Sequence, residues 1–148
     1  MGVLNVQCLS VEIHTTSHVF TSPKGHILKV LSYGINTYNN PWGVGTIHAE
    51  ANAINNLPPH SNKKKNLKKV NILVIKTSPT GKIGISKPCI KCIMNMMTLP
   101  IKRGYIIKDV YYSDYYGNIV KTNLKILSTD DNYHVSRFYK AHNYSLKI

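Results

Sequence analysis

Apolar positions recur with two different periods along this 148-residue chain, and the changes of period mark its elements. Val19 to Ser22 and His26 to Tyr33 read as a β-hairpin closed by the turn Pro23-Lys24-Gly25. Val70 to Thr77 is a near-continuous apolar run, as a buried central strand shows, and Ile106 to Tyr112 reads as a further strand. Two stretches follow helical spacing instead. Ala49, Ala53, Ile54 and Leu57 form an apolar stripe that Pro58-Pro59 cannot continue. Ile90, Ile93, Met94 and Met97 form another, opened by Pro88, whose fixed φ and missing N–H cost little at a helix start. A helix over 3–13 is expected ahead of the hairpin, and the loop INTYNNPWGVGT (35–46) separates the hairpin from the first apolar stripe. After the turn-rich DYYGN (114–118), Val120, Thr122, Leu124 and Ile126 alternate with Lys121, Asn123 and Lys125. That is the period of a half-buried strand, and so close behind its predecessor it must be antiparallel to it. Ser128 to Asp131 reads as a capping box leading a last helix, with Val135, Phe138, Tyr139 and His142 on one face. The order of elements is that of an α/β protein, and the length predicts one domain over 1–148.

Composition narrows the setting. No apolar run approaches the roughly 18 residues of a membrane span and no signal peptide is evident, so a soluble, cytoplasmic protein is expected. Three cysteines give no disulfide framework, which fits a reducing compartment. Cys8 reads as a small buried hydrophobe; the other two belong to a pattern.

That pattern is His48-Ala49-Glu50 followed, 41 positions after the histidine, by Pro88-Cys89-Ile90-Lys91-Cys92. A Cys-x-x-Cys by itself can be a redox pair, and a His-x-Glu occurs by chance in many helices. Here each opens a predicted helix, in fixed order, with a β-rich run between them. Cys89 and Cys92, three apart on a first turn, are neighbours able to grip one ion. One imidazole and two thiols make three ligands, and zinc takes four, so a place is left for water. Glu50 stands too near His48 along the helix to ligate beside it, and is well placed to take protons from that water. Two helix dipoles would favour thiolate over thiol.

The His-x-Glu and Pro-Cys-x-x-Cys pair resembles the signature of the zinc-dependent nucleoside, nucleotide and nucleic-acid deaminases, and the resemblance spans about Val19 to Leu127. It implies a three-layer α-β-α fold with a mixed five-stranded sheet, the last two strands antiparallel, and Zn2+ held by His48, Cys89 and Cys92 at the ends of two helices. It also implies a mechanism. Zinc lowers the pKa of its water from about 15.7 toward about 7; Glu50 accepts the proton, passes it to the ring nitrogen as C4 is attacked, and protonates the departing ammonia. Further residues follow from family positions: Asn36, after Gly34-Ile35, as a sugar ligand, Ala49 as a substrate contact, and Ser86-Lys87 as the segment whose carbonyl accepts from the exocyclic amine. Trp42 before the histidine and Tyr115 beyond the fourth strand, with Tyr38 and Tyr116 beside them, flank the pocket in this fold and could stack on a base.

The substrate is drawn two ways. Free-cytidine deaminases carry a glutamate two residues beyond the sugar-binding asparagine, where this chain has Tyr38. The strand-turn-strand after the Cys helix nevertheless looks like the free-cytidine branch, and with His-Ala-Glu it favours cytosine over adenine. Charge adds a third signal. Lys and Arg number 19 against 6 acidic residues, a formal +13, and Lys63, Lys64, Lys65, Lys68 and Lys69 form a basic run, which suits polyanions. Of the 19 basic residues 17 are lysine, and with 15 asparagines the usage matches an AT-rich genome such as that of a large DNA virus, which would place the protein in a host cytoplasm. Such bias inflates lysine but does not explain scarce acids. Three readings stand: a cytosine deaminase for a phosphate-bearing partner, either a nucleotide or single-stranded DNA or RNA; a free-nucleoside deaminase of pyrimidine salvage; and a catalytically weak, zinc-stabilised nucleic-acid-binding module. Small members of the family usually associate, so a homo-oligomer is also expected.

Overall fold

A computed structural model describes residues 14–21, 28–36, 47–60 and 66–129. Strands β1 (His14–Thr21) and β2 (Lys29–Ile35) form the antiparallel hairpin expected from the sequence, each displaced by a few residues. Helix α1 (Ala49–Asn55) follows, then β3 (Lys68–Thr77), the two-residue β4 (Ile83–Gly84) and helix α2 (Ile90–Lys102). Strands β5 (Tyr105–Ser113) and β6 (Ile119–Asn123) lead into helix α3 (Leu124–Thr129). The sheet order is β2-β1-β3-β5-β6, with β4 paired to β3 off this path. β3 runs parallel to β5 and every other pairing is antiparallel. The mixed sheet of an α/β fold is therefore present, with β5 and β6 antiparallel as expected and β4 as an addition that a two-residue pairing could not announce in the sequence.

The three helices among the described residues share one face of the sheet. Val19, Val70, Ile72, Val74, Ile107 and Val110 point from the strands into a cluster with Ala53, Ile54, Leu57, Ile93, Met96 and Leu127 from the helices and their ends. Each Val, Leu, Ile or Met side chain among them contributes about 1.5–3 kcal/mol on burial. The helix expected over 3–13 and the C-terminal helix expected to carry Val135, Phe138, Tyr139 and His142 lie outside the described residues. No described helix is long and apolar enough to cross a membrane.

Three expectations are corrected. In α2 Ile90 and Ile93 are buried as expected, but the stripe continues through Cys92, Met96 and Pro100, and Met97 is 46% exposed. Turning both cysteines inward at the first turn fixes the helix phase and rotates Met97 out. The alternation through Leu124 and Ile126 does not continue the last strand, because Asn123 ends it: its Oδ1 accepts the Ile126 N–H at 2.9 Å, a helix N-cap. Leu127 is then buried with Leu124 packed alongside, at i, i+3 spacing, and Ile126 faces out. Ser128 opens no helix; it sits near the end of α3 and its hydroxyl donates back to the Lys125 carbonyl at 2.9 Å.

Helix α1 seats on β2 unusually closely. A Cβ built on Gly34 would overlap the Ala53 backbone nitrogen and lie 2.5 Å from the Ala49 carbonyl oxygen. Four hydrogen bonds stitch the same seam. Ser32 Oγ donates to the Ala53 carbonyl at 2.7 Å, the Ile35 N–H to Asn52 Oδ1 at 3.3 Å, Asn56 Nδ2 to the Tyr33 carbonyl at 3.0 Å, and the Ala49 N–H to Asn36 Oδ1 at 3.0 Å. Gly34→Ala should consequently cost roughly 1–3 kcal/mol through overpacking against backbone that cannot yield. Urea unfolding with an unchanged midpoint would show that α1 tolerates displacement.

Candidate metal centre

Both helices that open with the motif begin at one edge of the sheet. β2 and β3 point the same way, since each is antiparallel to β1, so Asn36 after β2 and the end of β3 lie at one edge, outside the carboxyl ends of the strands, where α/β folds place their sites. His48 is the N-cap residue of α1 and Cys89 that of α2, both in extended conformation, with Cys92 on the first turn of α2. Their donor atoms converge. His48 Nδ1 lies 3.1 Å from Cys92 Sγ and 3.5 Å from Cys89 Sγ, and all three donors fall within 4.8 Å of one another. With Zn–S of about 2.3 Å and Zn–N of about 2.0–2.1 Å, a tetrahedral site needs N···S separations of about 3.6 Å. The three residues fit such an ion, and among the described residues no fourth His, Cys, Asp or Glu joins them. A further coordination place remains for a small molecule.

Hydrogen bonds link the titrating groups. The Cys92 thiol donates to Cys89, and this bond, with help from His48 and the Cys92 N–H, brings Cys89 down to about 4 despite its burial. The same bond, with burial, pushes Cys92 well above the ordinary thiol range. Hydrogen bonding to Cys89 raises His48. Before any metal enters, hydrogen bonding within the cluster thus favours Cys89 over Cys92 as the thiolate.

Glu50 lies on the first turn of α1, only 5% exposed. Burial raises its carboxyl above the usual range, partly offset by its own backbone N–H, by His48 and by Cys92. It lines a cavity of about 150 Å³ together with His48, Cys89, Asn36, Ser86, Lys87, Thr15, Lys76 and Ile85. The cavity brings together four residues expected from the sequence for substrate or catalysis: Asn36, Glu50, Ser86 and Lys87. Asn36 also holds α1 in place through Ala49, which is fully buried with its N–H on Asn36 Oδ1. Tyr115 is not brought to the cavity; it is 76% exposed in the β5–β6 turn, edge-on to Tyr116 with ring centroids 5.4 Å apart. Trp42 and Tyr38 lie outside the described residues.

Sequence reasoning missed Thr15, Lys76 and Ser113. Thr15 precedes the expected strand, and Lys76 is the one charge in an apolar run. Ser113 pairs with Ser86 across the sheet edge. The Ser86 N–H donates to the Ser113 carbonyl at 2.9 Å, the Ser113 N–H to Ser86 Oγ at 2.7 Å, Ser86 Oγ to the Val74 carbonyl at 2.6 Å, and Ser113 Oγ to the Gly84 carbonyl at 2.6 Å. This buried lattice fixes the strand-like segment that delivers Pro88 and Cys89. A serine at the end of an apolar strand carries no sequence signal of such a role.

Compared with protein-family models, curated proteins and solved structures, the chain finds no match. Its assignment rests on the geometry above: an α/β fold with a His-Cys-Cys cluster close enough to hold a metal ion, compatible with a zinc deaminase.

Metal uptake requires Cys92 as thiolate and His48 neutral, so zinc binding at pH 7 should release more than one proton per ion, and affinity should fall as pH falls. Titration in a weakly buffered indicator solution measures this; full uptake without proton release would remove Cys92 from the ligand set. In metal-free protein, Glu50 has a folded-state pKa above its unfolded value. Its contribution to stability is therefore fully present below the usual carboxylate pKa and lost as pH rises through the raised value. Glu50→Gln should raise the Tm of the metal-free protein at pH 8 and leave it unchanged at pH 4.

Proposed function

We propose that this chain is a zinc-dependent hydrolytic deaminase converting cytosine to uracil in a cytidine- or deoxycytidine-type substrate that carries phosphate. One observation supports it above the others: a buried carboxylate, Glu50, shares a cavity with two of the three metal-ligand residues without belonging to the ligand cluster. A purely structural metal site has no use for that group, whose desolvation is costly. Zinc, when bound, supplies a Lewis acid that lowers the pKa of a coordinated water toward about 7. Glu50 takes one proton of the attacking water and delivers it to the ring nitrogen, then takes the second from the new C4 hydroxyl and delivers it to the amino group, which leaves as ammonia as the C4–N bond breaks and the C4 oxygen becomes the carbonyl. Burial raises the proton affinity of Glu50, which suits a group that both takes and gives a proton. The Ser86-Ser113 lattice positions the Lys87 segment against the ring, and Asn36 holds the histidine helix beside the sugar.

Lys76 and Lys87 on the cavity wall favour a phosphate-bearing substrate. The β5–β6 hairpin directly after α2 favours the second reading, a free-nucleoside deaminase, since it resembles that branch of the family. Zinc-loaded protein incubated with cytidine, deoxycytidine, their monophosphates and single-stranded DNA and RNA, scored for ammonia and base conversion, separates them. Monophosphates should be preferred, and Lys76→Ala or Lys87→Ala should raise KM for them about tenfold while leaving nucleosides unaffected. Equal turnover of nucleosides would assign the lysines to solvation, and no ammonia from any substrate would refute deamination. Glu50→Ala should retain one zinc per chain and lose about 10²–10⁴ in turnover; near-normal activity would overturn its role.

A further inference from the structure

A second cleft, of about 390 Å³, lies on the sheet across β3, β5 and β6, away from the metal centre, and is lined by Thr21, Lys69, Asn71, Lys108, Asp109, Tyr111 and Lys121. Its volume is within the range of ligand clefts, about 300–1,000 Å³. It is made by a bulge. Val70 pairs with Ile107, but Ile72 pairs with Val110, so β5 carries one extra residue there. The extra residue lets Ile107 and Val110 both enter the core while Lys108 and Asp109 stand together in the cleft. Asn71 Oδ1 accepts the Asp109 N–H at 3.2 Å, which satisfies an amide that the bulge removes from the ladder. A bulge so stabilised re-aims side chains at a fixed place.

The charge it gathers is mostly positive, three lysines against one carboxylate. Lys69, Lys108 and Lys121 are all exposed, each on a different neighbouring strand. The one carboxylate, Asp109, is 19% exposed and 3.9 Å from Lys121, and among the described residues no ion pair engages Lys69 or Lys108. Tyr111 supplies an aromatic surface in the cleft, braced by Phe20 with ring centroids 5.7 Å apart. Cations spread over three strands around a braced ring suit a phosphate backbone with a stackable base. An acidic peptide would use the lysines and leave the ring without a counterpart.

We infer that this cleft is a docking surface for single-stranded nucleic acid, distinct from the metal centre. Lys69 stands seven positions from Lys76 on β3, roughly 23 Å at about 3.3 Å per residue, whereas Tyr111 pairs with Leu73, three positions or roughly 10 Å from Lys76. The cleft therefore starts a few residues from the cavity and runs away from it along the strand. The inference does not rest on the deaminase reading, because it concerns binding and requires no turnover.

The test is fluorescence anisotropy of zinc-loaded full-length protein with a labelled single-stranded oligodeoxynucleotide over a series of salt concentrations. Wild type should bind with an affinity that falls with salt, and Lys69→Ala/Lys108→Ala/Lys121→Ala should flatten the log–log salt slope by about two, given about 0.7 per phosphate contact for single strands. Tyr111→Leu should weaken binding about tenfold at an unchanged slope, and Tyr111→Phe should restore it. Zinc content of each variant, expected to match wild type, reports that the fold is kept. Glu50→Gln should bind as wild type does, so failure of deamination and failure of docking are read separately. An unchanged slope in the triple variant, no wild-type binding at low salt, or displacement of the strand by polyglutamate as readily as by unlabelled DNA would each overturn the inference.

Discussion

Helix α1 lies on β2 with no side chain between them at Gly34, and the chemistry at the edge of the sheet depends on that contact. A metal ion tolerates donor positions only within a few tenths of an ångström, whereas His48 and the two cysteines come from segments far apart in the chain. Backbone resting on backbone is the stiffest way to set such a distance, because no rotamer can absorb a shift. The four hydrogen bonds of the same seam add direction to the contact. Ser32 and Asn52 hold the middle of the helix, Asn56 its end, and Asn36 its first N–H. The small residues Ala49 and Ala53 are therefore requirements of proximity as much as good helix formers.

The cysteine half is fixed by different means. α2 cannot lean on a glycine, and its start is held by hydroxyl groups: Ser86 and Ser113 lock the approach to Pro88 against the ends of β3 and β5. The two halves meet with their helix N-termini together, so the cysteine thiolate and the buried Glu50 sit where partial positive charge is greatest. Burial works against both groups and the dipoles work for them. A cation held by the three donors would add positive charge at the same place.

The elements with strong periodicity were legible in the sequence. β3, α1 and the start of α2 emerged from apolar spacing and proline placement, and the ligand triad emerged because metal chemistry demands particular residue types at particular spacings. What stayed hidden has physical reasons. Leu124 and Ile126 fit a strand pattern as well as Leu124 and Leu127 fit a helix, and only the Asn123 cap decides between them. The inward phase of α2 is set by the cysteines, which hydrophobic counting undervalues, and so Met97 was misjudged. Ser113, Thr15 and Lys76 act through tertiary neighbours, and no local pattern records a neighbour. The bulge in β5 is legible only as a register difference between two strands. The cavity residues Asn36, Ser86 and Lys87 were reached through family resemblance, and the structure adds that two of them also serve as scaffold.

Asn36 joins these levels. Its side-chain oxygen holds the first amide of α1, next to His48 and one residue before Glu50, and the same residue faces the cavity. Because one side chain does both, its place on the cavity wall is set by the same bond that seats the start of α1. A change at position 36 therefore alters the wall of the cavity and the footing of His48 and Glu50 together, which makes the end of β2 the shared foundation of pocket and cluster.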